Sequence, residues 1–300
     1  MIKKISKDNI IYEFSIEKIP VLKVKSGETL KFEAKDAFSG QITSENSSAS
    51  KLNFDNLNAA TGPVYIEKAE PGKTLKIEIL EIDLDKYGYQ SIVPGFGLLK
   101  DQERFQDPIT KKCEIRNNRV YIEGGYDFKV SPNIGTIGVA PKDNKKISTI
   151  IPGDHGGNLD TKEITTGATL YLPIFVEGAL FALGDVHALQ GDGEVCGTSV
   201  EIGADVTVRL TVIDKTINRP LLIYNDQIMT IASAETLDEA AYVATNDMVD
   251  LISNNEFNVL DTYTYLTLYG DLRVSQTVNP LKTVKMITKR SKHINLNNKA

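Results

Sequence analysis

Leu75-Lys-Ile-Glu-Ile-Leu-Glu-Ile-Asp-Leu84 alternates apolar and charged side chains, and its reading decides the fold. Successive side chains of an extended strand point to opposite faces, so Leu75, Ile77 and Ile79 share one face while Lys76 and Glu78 meet solvent. Parity then reverses at Leu80, Ile82 and Leu84, which predicts a β-bulge or a strand passing from one sheet to another. A second run, with Val206, Val208, Leu210 and Val212 alternating with Thr207, Arg209 and Thr211, reads as a half-buried strand too. Pro71-Gly72, Pro94-Gly-Phe-Gly97 and Pro152-Gly153 punctuate the chain, so its strands are short and many. A mainly β sandwich or barrel is expected up to about Ile213.

The period changes after Thr230. Thr236-Leu-Asp-Glu239 is a capping-box pattern, and Leu237, Ala240, Ala241, Ala244, Met248, Leu251 and Ile252 keep helical spacing, predicting a helix from Leu237 to Ser253. Phe257 to Tyr269 is rich in aromatics and threonine, which favours strand, yet Val259, Tyr263 and Leu266 fit one helical face; a second helix is the reading we adopt. The expected division is 1–140 as a β-sandwich-like domain, 141–230 as a β-barrel-like domain carrying the site motifs, and 231–300 as an α+β portion. The lysine- and asparagine-rich tail from Lys282 is expected to end as exposed chain.

With 300 residues, 41% hydrophobic, the chain can bury a full core. A net charge of −6 without a concentrated Lys/Arg surface argues against a nucleic-acid partner. No run of eighteen apolar residues suggests a membrane partner, and the basic start lacks an apolar signal region, so a cytoplasmic location is expected. Cys113 and Cys196 are too sparse for a disulfide framework and read as free thiols.

Two of only three histidines stand in polar, glycine-flanked segments, Gly153-Asp-His-Gly-Gly-Asn-Leu-Asp160 and Gly184-Asp-Val-His-Ala-Leu-Gln-Gly-Asp-Gly-Glu194. Imidazole and carboxylate together suit borderline and hard divalent ions, so His155, His187 and the aspartates around them are candidate ligands. Asp185 and His187, two apart, project to the same side of an extended strand end. Glu194 or Glu201 could take a proton from a water acidified by such an ion. The competing reading is a polar loop that hydrogen-bonds to itself. Cys196, beside Gly197 and near Glu194, offers a thiolate nucleophile instead, though no orienting group is evident. A β module that binds a metal or small ligand without chemistry is the third reading.

Asp36-Ala-Phe-Ser-Gly-Gln41, Thr61-Gly-Pro-Val-Tyr65 followed by Ala69-Glu-Pro-Gly72, Gly156-Gly-Asn-Leu-Asp160, Gly184 to Glu194, and Asp271-Leu-Arg-Val-Ser-Gln276 together resemble, in order, the acetamidase/formamidase family. The resemblance runs from about residue 20 to 290, and the Gly184 motif is its most specific part. It implies hydrolysis of a short-chain amide to ammonia and a carboxylate, a metal-dependent site in a mainly β architecture with a C-terminal α+β portion, and a homo-oligomer, a dimer by expectation. Carried onto this chain, it puts Glu194, Asp192 and Gln41 among the catalytic groups. His155, His187, Asp160, Asp185, Asp36 and Asn158 are placed around the metal. The expected ion is zinc, with a second, harder ion such as calcium taking Asn158 and the remaining aspartates. Ala37 stands where the family has cysteine, and the chain is shorter than the family's long branch, so loops walling the pocket differ.

Overall fold

The computed structural model describes residues 2–43, 49–253 and 258–290. Its axis is the antiparallel pair of strands Thr74–Ile92 and Glu201–Ile213. Opposite Thr207 and Val208 the register steps from Glu81 to Ile79, leaving Leu80 as the extra residue. This is the bulge that the parity reversal predicts: Ile79 is 1% exposed and Leu80 39%. Glu28–Ala34 pairs along the other edge of Glu201–Ile213. Thr169–Pro173 joins the first part of Thr74–Ile92, and Ile109–Arg116 its end.

The strand that carries the site motif, Phe181–His187, lies between Asn133–Gly138 and Ala60–Ile66, and its last residues pair with the start of Glu201–Ile213 (Val186 with Ile202, His187 with Glu201). Segments 1–140 and 141–230 are therefore interleaved through shared strand pairs. One apolar core draws Leu30, Phe32 and Ile77 from the first and Phe181, Leu183 and Val206 from the second. Phe32 and Phe181 meet edge to face with ring centroids 5.6 Å apart, the geometry that aromatic quadrupoles favour.

The mainly β reading with a C-terminal α+β portion is borne out. Gln227–Ala234, Asp271–Gln276 and Lys282–Lys289 form an antiparallel group. Helix α1, Leu237–Ser253, buries Ala240, Ala244, Met248 and Ile252 in a second core with Ile228, Ala232 and Val284. Its start is the expected capping box: the Glu239 N–H donates to Thr236 Oγ1 and the Thr236 N–H to Glu239 Oε2. Helix α2 runs Val259–Tyr269 with Asn258 as its cap, but its buried residues are Thr262 and Leu266. Val259 and Tyr263 of the expected face are 57% and 62% exposed, because α2 packs shallowly. Phe257 and the end of the tail, 291–300, lie outside the described residues.

Because the bulge turns Leu80 outward, truncating Ile79 and truncating Leu80 have unequal costs. Ile79→Ala should lower unfolding free energy by about 2–5 kcal/mol through the cavity it leaves. Leu80→Ala should stay within about 0.5 kcal/mol. Urea denaturation of both variants reads the difference.

Candidate active site

His187 ends its strand in a fully buried position, and four carboxylates converge around it. Its Nε2 lies 3.2 Å from Asp185 Oδ1, 3.2 Å from Glu201 Oε2 and 4.0 Å from Glu194 Oε1. Asp160, Asp185 and His187 offer ligand atoms within 4.8 Å of one another, and so do His187, Glu194 and Glu201. The cluster walls a cavity of about 50 Å³, whose other side is apolar.

Local backbone explains how strand and loop residues aim inward together. Asp160, Asp185 and Glu194 all adopt left-handed φ values, 44°, 55° and 44°, a conformation that aspartate tolerates better than most residues and glutamate does not. Opposite them, Gly135 leaves the necessary space. A Cβ there would stand 2.6 Å from both Asp160 Oδ1 and Asp185 Oδ2, inside van der Waals contact.

Neutral donors hold the acids in place. Asn58 Nδ2 donates to Asp185 Oδ2 at 2.7 Å, and Asn279 Nδ2 to Asp160 Oδ2 at 2.6 Å. Ser199 serves both glutamates: its hydroxyl donates to Glu194 Oε1 at 2.7 Å and its N–H to Glu201 Oε1 at 2.6 Å. Thr136 Oγ1 sits 2.8 Å from Asn158 Oδ1 and 3.1 Å from Asp185 Oδ2. Asp160 Oδ1 and Glu201 Oε2 remain buried without an aligned hydrogen bond. Leaving such oxygens unpaired is costly, so both are poised for a cation.

Gln190 settles the orientation of the imidazole. Its Nε2 donates to the Asp160 carbonyl at 2.7 Å, which turns Oε1 towards His187 Nδ1, 3.0 Å away. Asn133 Nδ2 lies 3.2 Å from the same Nδ1 but donates to Gln190 Oε1 at the shorter distance of 2.6 Å, so the network assigns a proton to Nδ1 and leaves Nε2 facing the acids. Burial lowers the affinity of His187 for a second proton, but Glu201 and Asp185 outweigh it and hold its pKa well above the ordinary value. Burial pushes Glu194 and Glu201 up to about 7, the neighbouring acids adding to the effect and His187 opposing it. Asp160 is raised well above the carboxylate range, first by burial and then by Glu194 and Asp185. An imidazole nitrogen, several carboxylates and space between them fit a divalent ion.

Not every residue singled out from the sequence joins this cluster. His155, expected to share an ion with His187, is buried edge-on against Phe14, ring centroids 5.3 Å apart, with its Nε2 unpartnered, and belongs to neither ligand group. Asp36 also stands outside both groups; its Oδ1 accepts from the Gly40 N–H within its own turn. Asp192, expected among the catalytic groups, stands outside both ligand groups, its carboxylate held by Lys285 at 2.7 Å and Lys162 at 2.9 Å. Gln41 spends its amide on backbone groups of Asn53 and Asn56. Asn158 lines the cavity. Cys196 Sγ accepts from Gln90 and donates to the Thr198 carbonyl, contacts that supply no base for a thiolate.

Sequence reasoning missed Asn58, Asn133, Gln190, Ser199 and Asn279. Gln190 and Ser199 stand in or beside the Gly184–Glu201 segment and were open to notice, whereas Asn58 and Asn279 carry no local signal. Asn279 arrives because the C-terminal portion clamps the site loop: the Gly193 N–H donates to the Ser275 carbonyl and the Thr277 N–H to the Gly193 carbonyl, at 2.9 and 3.0 Å.

The sequence profile of the acetamidase/formamidase family matches residues 13–146 and 142–246. A solved acetamidase structure from Bacillus halodurans shares 42% identity, with 95% of this chain and 97% of that one covered, at a TM-score of 0.92. An acetamidase from Mycolicibacterium smegmatis is 27% identical over 254 residues, covering 63% of this chain and 62% of that protein. A formamidase from Methylophilus methylotrophus is 25% identical over 251 residues, with 63% and 60% covered. The chain thus spans about three fifths of the length of the curated relatives it matches. No helix among the described residues is long and apolar enough to cross a membrane.

The burial of His155 makes a measurable prediction. Burial lowers its pKa from 6.5 to about 4, so between those values the unfolded chain binds the proton and the folded protein does not. Stability must fall as pH drops through that window, by up to about 3 kcal/mol from this residue. His155→Leu should make the decline between pH 6.5 and 4 shallower by that amount, read from unfolding free energies across the range.

Proposed function

This chain belongs to the acetamidase/formamidase family, and we propose that it hydrolyses a short linear amide to ammonia and a carboxylate. One observation carries the reading: two buried glutamates, Glu194 and Glu201, stand 4.0 and 3.2 Å from His187 Nε2 on a cavity of small-amide size, where burial raises the pKa of both. A general acid–base group works best with a pKa near the operating pH, since one group must both take and return a proton.

Glu194 is the proposed proton carrier. Its carboxylate takes a proton from the water whose oxygen bonds to the amide carbon, then delivers that proton to the departing nitrogen as the C–N bond breaks. The sum is amide plus water to carboxylic acid plus ammonia, and the acid then gives its proton to the ammonia, leaving carboxylate and ammonium. Ser199 keeps Oε1 of Glu194 oriented through the exchange. Asp160, Asp185 and His187 are the groups to hold a divalent ion, with zinc proposed from the imidazole–carboxylate donor set and Glu201 close enough to join it. When bound, such an ion supplies polarisation of the carbonyl and acidification of water. Asn158 and the remaining carboxylate oxygens suit a harder second ion such as calcium. The apolar wall faces the acyl group of the amide. A homodimer is proposed as the assembly, supported by the exposed Tyr242, Leu260, Tyr263 and Leu268 of α1 and α2.

The first experiment measures ammonia release from formamide and acetamide with bound metal quantified, before and after chelation. Activity should vanish on chelation and return with one added ion; full activity in the stripped protein would overturn the metal assignment. Glu194→Gln should lower kcat by about 10²–10⁴. Because Glu194 must be ionised to accept a proton, kcat/KM of the wild type should rise with pH as Glu194 ionises, and that limb should disappear from the residual activity of the variant. Gly135→Ala displaces the carboxylates it contacts and should cost about a hundredfold in kcat while the protein still unfolds cooperatively.

A further inference from the structure

Beyond the carboxylate cluster, the inner cavity meets a larger outer one of about 620 Å³, walled by the exposed Gly95, Leu98 and Lys100. Phe54, Phe96 and Ile150 line both. Phe54 and Phe96 come from different segments, and their rings stack with centroids 5.3 Å apart and planes 8° from parallel. The stacked pair thus stands, with Ile150 and Asn279, in the wall that the two spaces share.

Each ring has its own fixture. Gln41 Nε2 donates to the carbonyls of Asn53 and Asn56 at 3.2 and 3.3 Å, and its Oε1 accepts from the Asn53 N–H at 2.8 Å. Asn53 in turn caps the short turn Phe54–Asn56 by accepting from the Asp55 N–H. The amide that motif comparison put among the catalytic groups thus braces the turn on which Phe54 stands. Phe96 is fixed through its neighbours: a Cβ on Gly97 would meet the Cys196 carbonyl oxygen at 2.9 Å, and the Leu98 N–H donates to the Val195 carbonyl at 2.8 Å. Phe96 is therefore tied to the loop that carries Glu194.

We propose that Phe54 and Phe96 form a size filter for the acyl group of the substrate, with Gln41 as its positioning residue; the proposal rests on the amide-hydrolase reading. A buried water needs roughly 10–15 Å³ of such space, so an inner cavity of about 50 Å³ takes only a few non-hydrogen atoms. Formamide and acetamide fit that limit. A longer acyl chain must cross the plane of the stacked rings, and removing either ring joins the two volumes.

Formamide, acetamide, propionamide, butyramide and hexanamide are offered to the wild type, Phe96→Ala, Phe96→Leu, Phe54→Ala and Gln41→Ala. Ammonia release and the ligand-induced change in Tm are read separately, so that binding is scored without turnover. The wild type should cut off after the shortest amides. Either alanine ring variant should raise butyramide relative to formamide by about tenfold or more in both readouts. Phe96→Leu, which keeps the fold most safely, should shift the same way by less, as should Gln41→Ala. A chain-length profile that stays unchanged in the folded ring variants overturns the filter, and so does a wild type that already accepts hexanamide. A cut-off that moves in binding while no amide yields ammonia keeps the filter and overturns the hydrolase reading.

Discussion

Mutual repulsion among Asp160, Asp185, Glu194 and Glu201 is the constraint around which this protein is built. Two like charges 4 Å apart cost about 4 kcal/mol even at an effective dielectric of 20. Among the described residues, His187 is the only cationic side chain paired with any of the four. The nearby lysines, Lys162 and Lys285, are engaged by Asp192 and Glu163 instead. Asparagine, serine and threonine orient the four acids without cancelling their charge. The fold keeps a concentrated negative potential in a dry place, where protons or a cation must supply the balance.

Much of the scaffold was legible because its physics is local. Alternation located the long strand pair, and a single parity break found the bulge at Leu80, since one extra residue turns every following side chain to the other face. The α1 capping box was readable for the same reason. The α2 face was misread: aromatic residues at helical spacing say nothing about whether a neighbouring element exists to cover them, and Tyr263 is left exposed.

The site was half legible. Asp185 and His187 sit two apart on one strand, so their convergence follows from extended geometry, and the glycines around them allowed Glu194 to be added. His155 shows the limit of that reasoning. Its glycine-rich setting looks like that of His187, and glycines in both serve close backbone packing: a Cβ would overlap the Ile137 carbonyl at Gly156 and the Ala59 carbonyl at Gly184, so glycine content does not tell the two histidines apart. Asp192 has the chemistry of a catalytic acid, yet the fully buried Lys285, from a strand 93 residues further on, engages its carboxylate. Nothing local in the sequence announces such a distant partner, and Asn58 and Asn279 escaped notice for that reason too.

The hydrogen bonds from Asn58 to Asp185 and from Asn279 to Asp160 close sequence separations of 127 and 119 residues. During synthesis, Asp160, Asp185, Glu194 and Glu201 leave the ribosome well before Asn279 does, so the growing chain carries an incomplete acidic cluster while much of the sheet can already pair. Completion of the centre is therefore a late event in biogenesis. A nascent chain that stalls before the last strands presents unpaired edges and an unbraced set of acids, which makes it a substrate for chaperones rather than a slow catalyst.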